Sequence, residues 1–537
     1  MAIRRSLQDR LTIVILLTIV LGSSALSLRW VFLVPIFQAP DEHVHLDYAL
    51  CLNELRGLVH ASSTKLGEVP NWVVHPYSLY LAEQTNLHEV AFHADKRMPL
   101  GYGTRAFYQA LDSKAPQAGN PAVFLRAPSL ASVYPYGYYA LLAGWLELVR
   151  GAVHDRPVAV VFGARIFSVL LLVCSLLLSY ATVRELRLRR DLALLLTACI
   201  GFFPLTSFVS SYIQPDNLAW TLVSLCYYLG LVARRKPNSA GVLALLGLAL
   251  GGLLVTKFQF FVCVFVPTLG MLTVEIYRPG SGCLIRCVRA GLLLVLPSLL
   301  LGAVHLWVVW GSANFYSGPA SYTHFNQFVL GGFRVAILDY FVDATHQSFW
   351  GIYGWMDTPI QIHSPKWTER VMFIIQVGTW LFLGLTLVRL ERVGSRLLRV
   401  ARQGRRRLAL RMALSNVPLN SYFLFTLLMI VLYVWYQNRF NAQGRNWLPL
   451  LLPIFLTSAV YAPKALTLRT SRVVCCWAVI LGLLLYCAVG GYYSLRTVKK
   501  RYYANESLAW PRAVIATKVQ SHPEPDHDNE RGRTSLG

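Results

Sequence analysis

A run of titratable residues, Asp41, Glu42, His43 and His45, stands in the segment QAPDEHVHLDYA, directly after the first long apolar stretch. Farther along, Asp216 sits in QPDN, Lys257 interrupts LVTKFQF, and Arg439 and Arg445 lie in QNRFNAQGRNWLP. These types suit one kind of chemistry. A carboxylate can take the proton of an acceptor hydroxyl as that hydroxyl attacks. Lys and Arg can hold a phosphate, Arg in two-pronged fashion, and stabilise the charge that develops as phosphate leaves. With an apolar groove between helices for a lipid tail, the set implies transfer of a group from a lipid phosphate to an acceptor. The plainer alternative is that charges at helix ends are solvated and that Lys257 snorkels to an interface. A charge inside a membrane costs roughly 2.5–3.5 kcal/mol on insertion scales, and convergence of acids and bases on one face favours a functional set.

The elements that must position these residues are transmembrane helices. The chain has 537 residues, 55% hydrophobic and 14% charged, with mean hydropathy +0.47. A soluble protein carries about a quarter charged residues. Apolar runs of about 20 residues recur. In lipid they must be helical, because every backbone polar group has to be satisfied within the segment, and the alternating pattern of an outer-membrane barrel is missing. The expected fold is an all-α polytopic bundle.

The net charge of +24 does not indicate nucleic acid. Lys and Arg cluster in short segments between apolar runs, at 4–10, 184–190, 234–236, 278–289, 389–411 and 464–472. Such loops mark the cytoplasmic side and lie against anionic headgroups. Of ten cysteines, only Cys51 falls in the large outer loop, so that loop has no disulfide framework. Cys283 and Cys287 lack further metal-ligating neighbours, and His60, His75, His88 and His93 are too scattered to define a metal site.

Hydropathy and charge together predict about eleven spans, each roughly 20 residues long: 11–28, 159–183, 192–212, 217–233, 240–256, 258–277, 290–310, 370–390, 418–436, 447–463 and 473–493. The amino terminus is then inside. A first outer loop covers about 38–158, a second about 311–369, and the spanning domain 1–495 precedes a polar tail, 496–537. Lys499, Lys500 and Arg501 fall outside in this arrangement, against the charge rule. The tyrosine-rich segment 133–149 reads as an interfacial helix, since a span there would turn the basic run 184–190 outward. Trp350, Tyr353 and Trp355 in WGIYGWMD serve equally as a sugar-stacking platform or as interfacial anchors. No internal repeat of the kind common in transporters is visible.

At these residues the chain resembles the GT-C-fold glycosyltransferases, multi-spanning enzymes that draw sugars from polyprenyl-phosphate donors. The acidic pair after the first helix is similar to their signature. Three segments, APDEHVHLDYA (39–49), SFWGIYGWMDTPI (348–360) and QGRNWLPLLLPI (443–454), resemble in order and spacing a family of bacterial membrane proteins assigned to that group. The resemblance implies Asp41 as general base, with Glu42 as its helper, alternative base or metal ligand. His45, Asp216, Lys257, Arg439, Arg445, Trp355 and Asp357 are then substrate-binding residues, Lys257 and Arg445 at donor phosphate. It also implies inversion at the sugar, a glycan, lipid or protein acceptor of the cell envelope, and a catalytic face on the outer side of the inner membrane. A divalent metal ion is a possible cofactor. Two departures stand out: Ala39-Pro40 replaces the family's two prolines, and Asn446 replaces an aromatic after the arginine. The competing function is a transporter or flippase of a lipid-linked sugar, with the same phosphate-binding residues and no base.

Overall fold

The computed structural model describes residues 2–54, 72–85, 87, 103–115, 123–125, 135–153, 156–276, 283–310, 349–353, 358–359, 388–389, 391–406, 408–409 and 444–503. All but Tyr503 belong to one compact unit, Met1–Tyr502. Its helices are α1 (Ala2–Leu33), α2 (Glu42–Glu54), α3 (Pro76–Gln84), α4 (Arg105–Ser113), α5 (Gly137–Val153), α6 (Pro157–Glu185), α7 (Arg190–Gly201), α8 (Pro204–Val209), α9 (Pro215–Arg235), α10 (Ala240–Leu254), α11 (Phe258–Ile276), α12 (Cys283–Trp310), α13 (Leu451–Leu456) and α14 (Arg469–Tyr503). Among the described residues the only sheet is two short antiparallel pairs, Trp72–Val74 with Val123–Leu125 and Ile352–Tyr353 with Thr358–Pro359.

The chain is a helical, multi-pass membrane protein, but its helices are less uniform than hydropathy suggests. Among the described residues, four stretches are long and apolar enough to cross a bilayer: Leu7–Leu33, Pro157–Glu185, Ile285–Val304 and Arg469–Tyr503. Ala240–Leu254 and Phe258–Leu272 are apolar but shorter. The expected span 192–212 is broken into α7 and α8, with Phe203 extended before Pro204. Proline lacks the N–H to continue a helix and pushes the preceding residue out of helical geometry. The expected span 447–463 is a mosaic: a 3-10 segment Gly444–Leu450, then α13, then a π-helical turn Thr457–Tyr461. The expected spans 370–390 and 418–436 lie almost wholly outside the described residues. Helix α14 continues to Tyr503, beyond the predicted boundary at 495.

Three large apolar clusters, with a small fourth one of Ile19, Leu194 and Ala198, hold the unit together. The first joins α1, α6, α7, α8, α13 and α14. The second joins α9 to α12 and includes Trp447 and Leu450. The third packs α2, α3 and α5 against the start of α6. In the second, α10 and α12 approach closely because Gly247 and Gly251 present no side chains. A Cβ at Gly247 would sit 2.6 Å from the Leu294 carbonyl oxygen, and Ser298 Oγ donates to the Gly247 carbonyl at 2.9 Å. Small residues four apart permit this backbone contact between membrane helices.

Helix α5 covers the described part of the tyrosine-rich segment. It lies alongside the first turns of α6 in antiparallel fashion: Tyr138 and Trp145 meet Phe167, and the Trp145 indole donates to the Gly163 carbonyl at 2.8 Å. Its start is tied to the α10–α11 junction, where the Gly137 N–H donates to the Val255 carbonyl at 2.8 Å. A side chain at Gly137 would collide with that oxygen at 2.6 Å. Trp350 and Tyr353 belong to the first cluster, and Tyr353 is fully buried. Tyr353 stacks on Trp30 and its hydroxyl bonds Ser494 Oγ at 2.5 Å. The expectation that these two rings stack on a sugar or anchor an interface is therefore corrected: they are core residues.

Candidate functional site

The turn between α1 and α2 is built on one buried ion pair. Helix α1 ends at Leu33, leaving the carbonyls at and just beyond its last turn short of intrahelical partners. Arg165 of α6 takes them: its Nη1 donates to the Val31 and Val34 carbonyls at 2.7 and 2.6 Å, and its Nη2 to the Pro35 carbonyl at 3.0 Å. The same guanidinium grips Glu42, Nε to Oε1 at 2.7 Å and Nη2 to Oε2 at 2.6 Å. Both side chains are fully buried. Glu42 Oε2 also accepts the Phe37 N–H at 2.9 Å. Between these anchors the chain turns sharply, with Phe37 and Asp41 in the left-handed region at φ 62° and 60°. That region is uncommon for any residue with a side chain and is accessible to Asp more readily than to Phe.

The turn sets Asp41 just before α2, facing the Arg445 guanidinium, which donates to Asp41 Oδ2 at 2.8 Å. Arg445 is the second residue of the 3-10 segment and also reaches Gln214 Oε1 at 3.4 Å. Gln214 precedes α9, whose Pro215 and Asp216 form its first turn. An acid there complements the helix dipole. Asp216 is ion-paired with Lys257, at the break between α10 and α11. The two pairs form one group, since Asp216 also acts on Arg445 electrostatically and Lys257 acts on His45. Three apolar clusters meet here: Tyr212 belongs to the first, Leu218 to the third and Ala219 to the second.

Burial alone would push the Asp41 carboxyl up, but Arg445, with His45 and His43, overrides this and holds it below the usual carboxylate range. His45 is buried, and desolvation pushes its imidazole down to about 3 despite Asp41 nearby. It is thus uncharged at neutral pH, which leaves Arg445 as the counter-ion that matters to Asp41. His45 Nδ1 and the Tyr139 hydroxyl lie 2.8 Å apart, tying α2 to α5. One turn on, Asp47 accepts the His75 N–H at 2.8 Å. Burial outweighs that bond and lifts the Asp47 carboxyl to about 7.

Of the residues singled out from sequence, the structure brings together Asp41, Arg445, Asp216, Lys257 and His45. Glu42 is adjacent but faces the other way, with both oxygens occupied by Arg165. Arg439, Trp355 and Asp357 lie outside the described residues. Sequence reasoning missed Arg165, Gln214, Tyr139 and Asp47. Arg165 had a readable signal, since a lone arginine inside the apolar run GARIFSV is as anomalous as Lys257.

A divalent cation does not fit this donor set. Both Glu42 oxygens are held by the Arg165 guanidinium, and Asp41 and Asp216 are each already neutralised by a cationic side chain. Among the described residues no group of three or more His, Cys, Asp or Glu is placed to hold a metal ion. Two carboxylates and two fixed cations can instead place a base beside a phosphate-binding pair.

No known protein-family profile matches the chain, and no curated protein is similar to it. Among solved structures, it is similar to the crystal structure of the Archaeoglobus fulgidus oligosaccharyltransferase in the apo form, at 11% identity and a TM-score of 0.37, covering 97% of this chain and 62% of that one. The same enzyme tethered by a disulfide to an acceptor peptide containing the NVT sequon is similar at 11% identity and a TM-score of 0.32, covering 91% and 55%. This chain thus spans about 62% and 55% of the lengths of those matches.

Proposed function

We propose that this chain is a GT-C-type glycosyltransferase that moves a sugar from a polyprenyl-phosphate donor to a hydroxyl of a cell-envelope acceptor at the outer membrane face. The observation that carries the reading is the meeting of Asp41–Arg445 and Asp216–Lys257, drawn from four distant stretches of chain to the place where the three apolar clusters meet. The donor phosphate binds between Lys257 and Arg445, with its lipid tail among the helices. The acceptor oxygen attacks the anomeric carbon from the face opposite the phosphate. The carbon–oxygen bond to phosphate breaks, the hydroxyl proton passes to Asp41, and the phosphate leaves on the two cations with inversion at carbon.

The low basicity of Asp41 in the empty site is consistent with this scheme. A phosphate that engages Arg445 loosens its hold on Asp41, so the carboxylate becomes more basic when the donor arrives. Glu42 takes no part in the chemistry, and no metal step is invoked.

The test is sugar transfer by the full-length protein in vesicles, paired with donor binding to the purified protein. General-base catalysis is worth about 10²- to 10⁴-fold, so Asp41→Asn should lose that much transfer while retaining donor binding. Undiminished transfer by Asp41→Asn would overturn the assignment. Lipid-linked sugar crossing the bilayer in that variant, with no transfer even by the parent protein, would mark a flippase instead.

A further inference from the structure

We infer that Arg165 and Glu42 are positioning residues: a buried clamp that fixes the left-handed turn at Asp41 and so aims its carboxylate at Arg445. The inference rests on the proposed role of Asp41 only for its meaning in catalysis; the geometry stands apart from any activity.

A guanidinium has five N–H donors. Arg165 makes five hydrogen bonds, three to carbonyls at the end of α1 and two to Glu42. No other side chain offers a planar fork of that kind; an ammonium has three donors radiating from one point. Glu42 closes the loop from the other end. It is the first residue of α2, and one of its oxygens accepts the N–H of Phe37, at the start of the turn. Both ends of the turn 37–42 are thereby fixed to one point on α6. Two left-handed residues within five positions persist only when their surroundings over-determine them, and the clamp supplies that. Release of Arg165 or Glu42 leaves Phe37 and Asp41 free to relax toward ordinary backbone angles, which swings the Asp41 side chain away from Arg445.

The clamp differs in kind from the site it serves. It touches no space a substrate could occupy, because both of its side chains are fully buried. Its effect reaches the chemistry only through the backbone of Asp41.

The experiment reads the orientation of position 41 without requiring turnover. In the full-length protein carrying Asp41→Cys, the rate of thiol alkylation is followed against pH, with the peptide containing position 41 identified by mass spectrometry. A cation beside a thiol lowers its midpoint from about 8.5. The groups acting on position 41 are Arg445, His45 and His43; Arg445 is the permanent charge, so the midpoint reports on that contact. Adding Arg165→Lys should return the midpoint toward the ordinary thiol value. A rise of about one pH unit slows labelling about tenfold at a pH below both midpoints. Glu42→Gln should act in the same direction, and it carries the test if Arg165→Lys does not fold. An unchanged midpoint in a folded variant, judged by its elution and melting, would overturn the clamp. Where transfer is measurable, Arg165→Lys should lower kcat without raising donor KM. If transfer is absent even from the parent, the functional reading fails while the thiol midpoint still decides the clamp.

Discussion

Two arginine–carboxylate pairs lie on either side of one backbone turn, and they have opposite characters. Arg165–Glu42 is fully buried, with both carboxylate oxygens and all five guanidinium N–H groups engaged. Asp41–Arg445 is partly open, with side-chain exposures of 30% and 13%. A closed pair of the first kind has nothing to offer a ligand. An open pair can exchange one partner for a ligand phosphate, which is what a binding site requires. The lesson is that charge type and adjacency do not separate two neighbouring carboxylates; access and unspent hydrogen-bonding capacity do.

The comparison breaks most visibly through stability. Removing one partner of a buried pair leaves the other charged and dry, which costs about 3–5 kcal/mol. Arg165→Met should therefore lower unfolding stability by about that amount in detergent, whereas Arg445→Met should cost less, because Asp41 keeps 30% of its side chain exposed and can be hydrated once its partner is gone. Equal losses for the two variants would remove the distinction between architecture and site. A smaller effect sharpens the open side. On the proposed function, Lys257 would make a charge-assisted contact to phosphate worth about 1.5–3 kcal/mol, so Lys257→Ala should weaken binding of a polyprenyl-phosphate sugar by about ten- to a hundredfold in equilibrium titration. Unchanged affinity would place the phosphate elsewhere.

The smallest expected effect concerns Asp47, which holds the start of α3 to α2. Its carboxyl is raised to about 7 in the folded protein and titrates near 3.9 in an unfolded chain. An acid whose folded value is raised gives its full stabilisation below the unfolded value and loses it as pH climbs through the folded one. The contact between α2 and α3 should loosen from about pH 4 to pH 7, seen as faster hydrogen exchange at the His75 amide. Asp47→Asn should flatten that dependence. A parent protein whose exchange, corrected for intrinsic rate, is flat over the same interval would contradict it.

Much of the site was legible in the chain because charges in apolar sequence are expensive and therefore conspicuous. Asp41, Asp216, Lys257 and Arg445 stood out for that reason. Arg165 obeys the same rule and was passed over, since it had no motif around it. That Glu42 faces Arg165 while Asp41 faces Arg445 could not be read, because the left-handed geometry of Asp41 that separates these neighbours has no signature in residue type. The burial of Trp350 and Tyr353 depends on Tyr486 and Ser494, more than 130 residues away, which local pattern cannot convey. The helix count suffered differently: hydropathy measures how apolar a window is, not whether a proline divides it, as at Pro204.

The balance of charges at the site has a kinetic consequence. Asp41, Asp216, Lys257 and Arg445 sum to zero, so the empty site casts little field into the surrounding solution or headgroup layer. On the proposed function, a donor would not be drawn in from a distance; it would arrive by sliding along the membrane and be retained by trading places with a carboxylate. Its association rate should then be nearly indifferent to ionic strength, unlike that of a site lined by cations alone.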